Sequence, residues 1–181
     1  MPPTEKAQLM SASEIERTLV RLAHEIVEKN GGSEGLALIG IRRRGEPLAR
    51  RLAALVGRIE SKPVPVGTLD IAMYRDDLST VGAKPEVRPS QIDFDIKGLG
   101  VILVDDVLYT GRTIRAALDA LFDHGRPRRV QLCALVDRGH RELPIAASFV
   151  GKYVQTTASE MVEVQLQETD GRERVLLVEP A

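Results

Sequence analysis

The chain has 181 residues, of which 43% are hydrophobic and 28% are charged, and its formal net charge is -1. This composition predicts one soluble domain, residues 1–181, with a substantial core. The near-zero charge excludes a general electrostatic attraction to nucleic acid, and no stretch approaches the roughly 20 apolar residues of a membrane span. We therefore expect a cytoplasmic protein. The single cysteine, Cys133, lies in the apolar run VQLCALV, which predicts a buried core thiol and excludes a disulfide framework.

The first predicted element is an amphipathic helix that begins at Ser13. Ser13 and Glu16 have the spacing of a capping box, and Asn30, Gly31 and Gly32 form a stop signal. Apolar residues recur at helical spacing between these points and are expected to face the core. They are Ile15, Leu19, Leu22, Ile26 and Val27.

A strand, a loop and a second helix are predicted next. The apolar run LALIGI is typical of a strand, and it ends in the basic sequence RRRG. A helix that begins near Pro47 follows, with Leu48, Leu52 and Leu55 directed inward.

The stretch TLDIAMYR predicts a half-buried strand, because Leu69, Ile71 and Met73 alternate with polar neighbours. Residues 75–95 are then polar and interrupted by glycine and proline. A connection of this length inside a compact domain is usually a functional lid or a disordered segment, and both readings stay open.

The second half of the chain predicts a parallel sheet. VILV is a buried strand and leads through DDVLYTGRT into a helix, for which we expect four inward residues, and VQLCALV is another buried strand. The four inward residues are Ile114, Leu118, Leu121 and Phe122. Strands that alternate with helices imply an α/β fold with ligands at the carboxyl ends of the strands. Val162, Val164 and Leu166, followed by an Asp170-Gly171 turn and a second apolar run, predict a terminal hairpin.

The sequence VILVDDVLYTGRT carries the chemistry. Asp105 and Asp106 end a buried strand, where their carboxylates can accept hydrogen bonds from a diol or reach a metal. Residues Thr110 to Thr113 open the following helix, whose free N–H groups and positive dipole end favour a phosphate. A strand end and a helix cap are the alternative for either half alone, whereas both together indicate a ribose-phosphate site. Neither a P-loop nor a dinucleotide fingerprint is present.

VDDVLYTGRT resembles the phosphoribosyl-diphosphate (PRPP) signature of type I phosphoribosyltransferases. Together with GIRRRGEPLARRLA, TLDIAMYRDDLS and LVDRGHRELP, it resembles the PyrR family of bifunctional pyrimidine-operon regulators and uracil phosphoribosyltransferases over nearly the whole chain. The resemblance implies the type I phosphoribosyltransferase fold, with a mainly parallel sheet flanked by helices, a mobile lid loop and a C-terminal hairpin. It also implies the conversion of uracil and PRPP to UMP and diphosphate with Mg²⁺.

The resemblance assigns roles to individual residues. Asp105 and Asp106 hold the ribose hydroxyls, helped by the metal. The 5′-phosphate is held by Val107, Leu108, Tyr109, Thr110, Gly111, Arg112 and Thr113. Diphosphate is assigned to Arg43, Arg44 and Gly45, for which a solvated basic turn is the alternative. The lid carries Arg75, Asp76, Asp77 and Arg88, and the uracil pocket contains Asp137, Arg138 and Val162. No residue is assigned to take the proton from uracil N1.

Proteins similar to this one bind a leader RNA of the pyrimidine operon, and UMP or UTP shifts that affinity by linkage. The candidate RNA-binding residues are Arg17, Arg21, His24, Lys29, Arg141 and Lys152, with Arg126, Arg128, Arg129 and His140 as further basic positions. Relatives form dimers or tetramers, and RNA binding needs these charges pooled across a homodimer. Val20 and Ala146 replace a threonine and an arginine that relatives can carry. A uracil salvage enzyme without RNA binding, or an enzyme for another nucleobase, therefore remains an alternative.

Overall fold

The computed structural model describes residues 2–75 and 88–181. The strands are β1 (Thr4–Met10), β2 (Leu36–Ile41), β3 (Val66–Leu69), β4 (Gly100–Leu108), β5 (Arg129–Asp137), β6 (Phe149–Tyr153), β7 (Met161–Gln165) and β8 (Arg174–Glu179). The helices are α1 (Ala12–Asn30), α2 (Gly45–Glu60), α3 (Arg112–Phe122) and α4 (Gln167–Asp170). No helix of the described residues is long and apolar enough to cross a membrane.

The central sheet has five parallel strands in the order β3-β2-β4-β5-β6. Its middle strands are apolar on both faces because both faces are covered. In β4, Ile102 and Val104 belong to the core shared with α1 and α2, whereas Val101 and Leu103 belong to the core shared with α3. The predicted α/β architecture with a flanked parallel sheet is confirmed.

A second sheet joins the two ends of the chain. It is antiparallel, with the order β1-β8-β7, and is called the terminal sheet below. The predicted C-terminal hairpin is its β7-β8 pair, and α4 lies in the connection with Gly171 in the left-handed conformation after it. Sequence analysis did not identify β1, whose residues are mostly exposed.

Three local predictions are wrong. The capping box of α1 is formed by Ser11 and Glu14 rather than Ser13 and Glu16, with both reciprocal hydrogen bonds at 3.2 Å. The strand predicted through Met73 stops at Leu69, because the Asp70 carboxylate accepts the Ala72 N–H at 2.8 Å and turns the chain, which leaves Met73 exposed.

Phe122 was also expected to face inward, but it is 54% exposed at the end of α3. By contrast, Cys133 is buried as predicted, and burial raises the pKa of its thiol to about 12.

Candidate active site

The acid pair lies at the carboxyl end of β4, the middle strand of the central sheet. Asp105 is only 7% exposed, and its Oδ1 accepts the Asp106 N–H at 2.8 Å. Burial raises the pKa of the Asp105 carboxyl well above its ordinary value, and the charge of Asp106 acts in the same direction, whereas the charge of Arg75 opposes it. The pair is therefore suited to a ligand that brings hydroxyl donors or positive charge.

The residues after the acid pair form a cleft at the start of α3. Gly111 has a φ of 95°, a left-handed value that favours glycine, and Arg112 begins the helix. The cleft has a volume of about 280 Å³ and is lined by residues 107–114 with Arg75 and Glu142. Because the first N–H groups of a helix lack intrahelical acceptors, this cleft can bind a phosphate.

Arg141 fastens this loop to the end of β5. Its Nη1 donates to the Tyr109 carbonyl at 2.7 Å, its Nε to the Ile145 carbonyl at 2.8 Å and its Nη2 to the Asp137 carboxylate at 2.7 Å. Each nitrogen of the guanidinium thus has an acceptor inside the protein. This geometry assigns Arg141 a structural task beside the phosphate loop, and its predicted contact with RNA stays a prediction.

Glu142 is a residue of the cleft that sequence analysis missed. Its N–H and that of Leu143 donate to the Thr110 carbonyl at 2.9 and 3.2 Å, and its carboxylate accepts from Arg112 Nε at 2.8 Å. The stretch HRELP therefore closes over the loop from the β5 side. Glu142 lies within LVDRGHRELP, one of the stretches that carry the family resemblance, but its contact with Arg112, 30 residues away, depends on the fold.

Arg138 and Asp137 line a second cleft beside the first. Arg138 is 6% exposed and donates to the Thr156 hydroxyl and to the Thr157 and Glu160 carbonyls. The cleft has a volume of about 700 Å³ between residues 137–141 and 153–160. The side chains predicted to bind uracil thus build its wall through bonds within the protein. Val162 packs against the larger core and does not line this cleft.

The loop assigned to diphosphate follows β2 and lies directly beside β4. A Cβ at Gly45 would overlap the carbonyl oxygen of Val104, so only glycine allows this approach. The Arg44 guanidinium makes a bidentate pair with Asp170, and Arg43 is exposed. The peptide bond between Arg42 and Arg43 is cis.

Arg43 lines a third cleft, of about 460 Å³, together with Arg42, Arg50 and Arg88. Of the predicted lid residues, Arg75 therefore lies at the phosphate cleft and Arg88 at the arginine-lined cleft. Asp76 and Asp77 lie outside the described residues.

The other RNA candidates fall into two groups. Arg17, Arg21, His24 and Lys29 on α1 and Lys152 on β6 are exposed on adjacent elements. Arg21 joins these elements, because its Nη2 donates to the Gly151 carbonyl at 2.5 Å. The second group, Arg126, Arg128 and Arg129, lies at the amino edge of the sheet, where β5 begins, and His140 lies beside Tyr109 with ring centres 5.7 Å apart.

The acid pair fits a magnesium ion that arrives with its substrate. The described residues contain no group of three or more histidine, cysteine, aspartate or glutamate side chains able to hold a metal by themselves. Mg²⁺ characteristically binds through one or two carboxylates, with water and substrate phosphates completing its shell. Asp105 and Asp106 provide that donor set.

Comparisons with known proteins agree with this geometry. Residues 6–169 match the model of the phosphoribosyl transferase domain. The chain is 62% identical over 174 residues to the bifunctional protein PyrR of Thermus thermophilus, covering 96% of each chain. It is 57% identical over 177 residues to that of Pelotomaculum thermopropionicum, covering 98% of each.

The fold is also that of solved phosphoribosyltransferases. Hypoxanthine phosphoribosyltransferase from Trypanosoma cruzi superposes with a TM-score of 0.75 at 19% identity, over 97% of this chain and 96% of that one. The Staphylococcus aureus enzyme of the same name gives 0.71 at 17% identity, over 97% and 94%. Combined with the extent of the sequence identity, these results show that the chain belongs to the PyrR family and has the type I phosphoribosyltransferase fold.

Proposed function

We propose that this protein is a uracil phosphoribosyltransferase, converting uracil and PRPP to UMP and diphosphate, and a pyrimidine-responsive regulator of the pyrimidine operon. The observation that carries the enzymatic half is the acid pair, with Asp105 buried and Asp106 half-buried, at the end of the strand that leads through a short loop into the start of α3. It occurs in a chain 62% identical to a protein named bifunctional PyrR. The proposed substrates and RNA partner are cytoplasmic.

The reaction needs positioning and electrostatics rather than a covalent intermediate. Uracil N1 displaces diphosphate from C1 of PRPP, so the ribose becomes cationic while negative charge leaves with diphosphate. In the proposed complex, Asp105 and Asp106 accept hydrogen bonds from the ribose hydroxyls and place negative charge beside the ribose. The N–H groups of Tyr109 to Thr113 hold the 5′-phosphate. The ribose is thereby fixed from both ends.

Diphosphate departs toward the arginine-lined side of the site. Arg43, Arg44 and Gly45 are its proposed binding residues, and the lid that contains Arg75, Asp76, Asp77 and Arg88 excludes water during the reaction. Mg²⁺, when bound, neutralises part of the diphosphate charge, and Asp105 and Asp106 would hold it together with substrate oxygens.

The 700 Å³ cleft between residues 137–141 and 153–160 is the proposed uracil pocket. Asp137 and Arg138 already bond to the protein, so their proposed task is to fix the backbone groups that read the base. Val162, the third residue assigned to uracil, lies on β7 and packs against the larger core.

The test is base-dependent release of diphosphate from PRPP and Mg²⁺ by the purified protein. Uracil is expected to give UMP, and hypoxanthine, guanine and orotate to give little product. The double variant Asp105→Asn, Asp106→Asn is expected to fold and to lose nearly all turnover. A faster reaction with another base would show that this base, rather than uracil, is the substrate. Full turnover by the double variant would reject the proposed site.

A second function, control through RNA, is favoured by the exposed basic residues shared by α1 and β6. Gel-shift titration against the pyrimidine leader RNA is expected to show affinity that depends on UMP or UTP, with a salt slope of about -0.7 per phosphate contacted. Arg17→Gln and Lys152→Gln should weaken binding, and Arg58→Gln, at an exposed position on α2 to which no RNA role is assigned, serves as the matched control. RNA binding that does not depend on UMP or UTP would reject the regulatory function and leave the enzymatic function alone. Sedimentation of the complex would test the proposed homodimer or homotetramer.

A further inference from the structure

Two sets of ion pairs connect the β7-β8 connection to α2 and the loop before it. In the first, Arg44 donates from Nε and Nη2 to the Asp170 carboxylate at 3.2 and 2.7 Å. In the second, Arg51 donates to Glu168 and Glu173, with its Nη2 2.9 Å from Glu173 Oε1. Both sets bond the β7-β8 connection of the terminal sheet to α2 or to the residue before it. The two arginines differ in their position relative to the acid pair.

Arg44 bonds to the connection of the terminal hairpin and belongs to the loop that lies beside β4, the strand of the acid pair. Its hydrogen bonds to Asp170 raise the pKa of the guanidinium, and the charge of Asp106 acts in the same direction. Arg44 directly precedes Gly45, whose backbone approaches β4 closely. Arg51 lies about two turns further along α2 and bonds to Glu168 and Glu173 instead.

The Asp170 carboxylate is itself fixed. Its Oδ2 also accepts the Leu166 N–H at 2.8 Å, and its side chain is only 18% exposed. A bidentate arginine-carboxylate pair restricts the guanidinium to one plane and orientation, which a single exposed ion pair does not do. Asp170 therefore determines where the positive charge of Arg44 lies.

The pair leaves Arg44 able to bind a ligand as well. A guanidinium has five N–H donors, and Asp170 accepts two of them. Within the described part of the chain, the remaining three make no protein hydrogen bond. They are available to oxygens of a diphosphate, and they are already oriented before the ligand arrives.

We propose that Asp170 is a positioning residue for PRPP: it holds Arg44 as a fixed cation between the acid pair and the diphosphate group. The inference rests on the proposed PRPP site and deepens it. Binding of diphosphate then depends on the last residue of α4, in the connection of the terminal hairpin. The terminal sheet thus supports the proposed sugar-phosphate site.

The variant Asp170→Asn tests this with Glu173→Gln as its matched control. Asparagine keeps the size of the side chain but loses the charge and one strong acceptor. We expect the KM for PRPP to rise about tenfold and inhibition by inorganic diphosphate to weaken by a similar factor, since charge-assisted bidentate pairs are the strong ones. The KM for uracil should stay within about twofold.

Glu173→Gln weakens the ion pairs of Arg51. It should leave the KM for PRPP and the inhibition by diphosphate unchanged. Equal effects of the two variants on PRPP, or a parallel rise in both KM values for Asp170→Asn, would show that Asp170 is only a tether. If circular dichroism shows that Asp170→Asn does not fold, Arg44→Lys decides the matter. It keeps the charge, loses the bidentate geometry and must produce the same selective loss of PRPP.

Calorimetric titration with PRPP and Mg²⁺ separates this inference from the base specificity. If the unmodified protein binds PRPP but does not convert uracil, the uracil activity is wrong, and the PRPP affinities of the two variants still decide the role of Asp170. If the unmodified protein does not bind PRPP, both proposals are rejected.

Discussion

The guanidinium carbon of Arg138 lies 4.0 Å from the centre of the Tyr109 ring, which joins the wall of the proposed uracil pocket to the phosphate loop. The same guanidinium donates to the carbonyls of Thr157 and Glu160. One buried cation thus holds three segments of chain at the mouth of the site.

Replacing this cation should therefore damage both stability and binding. Arg138→Gln is expected to lower the free energy of unfolding by about 1–3 kcal/mol, because buried carbonyls lose their donors. It should also raise the KM for PRPP, since the Tyr109 ring loses its contact with the guanidinium. Urea unfolding and steady-state kinetics measure the two effects. Arg58→Gln, at an exposed position on α2, is the control and should change neither. Unchanged stability in Arg138→Gln would contradict the assigned role.

Asp105 is expected to make the ligand-free protein less stable. Because burial raises its pKa, the folded state binds this proton more tightly than the unfolded chain does. The stability that the protonated carboxyl provides is present below the unfolded pKa of about 3.9 and declines as pH rises through the folded pKa.

Asp105→Asn should then melt a few degrees higher than the unmodified protein at pH 8, while activity is lost. The difference should disappear near pH 4. Asp106→Asn removes only the charge of Asp106, the second cause of the raised Asp105 pKa. It should therefore raise the melting temperature by less. Calorimetric scans without ligand at several pH values make the comparison, and a lower melting temperature for Asp105→Asn at pH 8 would contradict it.

Glu160 has the opposite pH dependence. Lys6 donates to its carboxylate at 2.6 Å and the Thr157 N–H at 2.7 Å, and these bonds lower the pKa of Glu160 to about 2. Its contribution to stability is therefore present above the ordinary glutamate pKa of 4.5 and is lost as pH falls toward 2. Glu160→Gln should be less stable at pH 7, and the deficit should shrink between pH 4.5 and 2.

Urea unfolding across that pH range provides the measurement. Lys6→Gln should behave similarly but more weakly, since the bond from Thr157 remains. A deficit that is constant with pH would show that the lost interaction is not ionic.

Cys133 should be chemically inert in the folded protein. It is buried, and its pKa of about 12 leaves almost no thiolate at neutral pH. Reaction with a disulfide reagent should be very slow in buffer and complete in urea. Rapid labelling of the native protein would show that the β5 core opens readily.

The sequence was most informative where neighbouring residues decide the structure. A buried strand, an acid pair and a helix start follow one another in residues 101–122, so the strand, loop and helix that carry the proposed ribose-phosphate site could be predicted from one segment. The apolar stripe of α1 could be predicted for the same reason, because it depends on residues close together in the sequence. Its capping box was misplaced because SASEIE offers two serines, each three residues before a glutamate, and only the backbone shows which one caps the helix.

Contacts between distant segments could not be predicted. β1 is mostly exposed, and its partner β8 lies at the other end of the chain, so no periodicity identified it. Arg44 and Arg138 were assigned to ligands from their positions after strands. Their carboxylate and carbonyl acceptors come from residues 156–170, which the fold brings close.

The middle position of β8 in the terminal sheet has a consequence for synthesis. Thr4 of β1 pairs with Glu179, so β1 leaves the ribosome long before its partner exists. The central sheet and phosphate loop can form from residues already made, whereas the bonds of Lys6 to Glu160 and Arg44 to Asp170 must wait. The residues of the proposed sugar-phosphate cleft are therefore made before the strand that completes the terminal sheet.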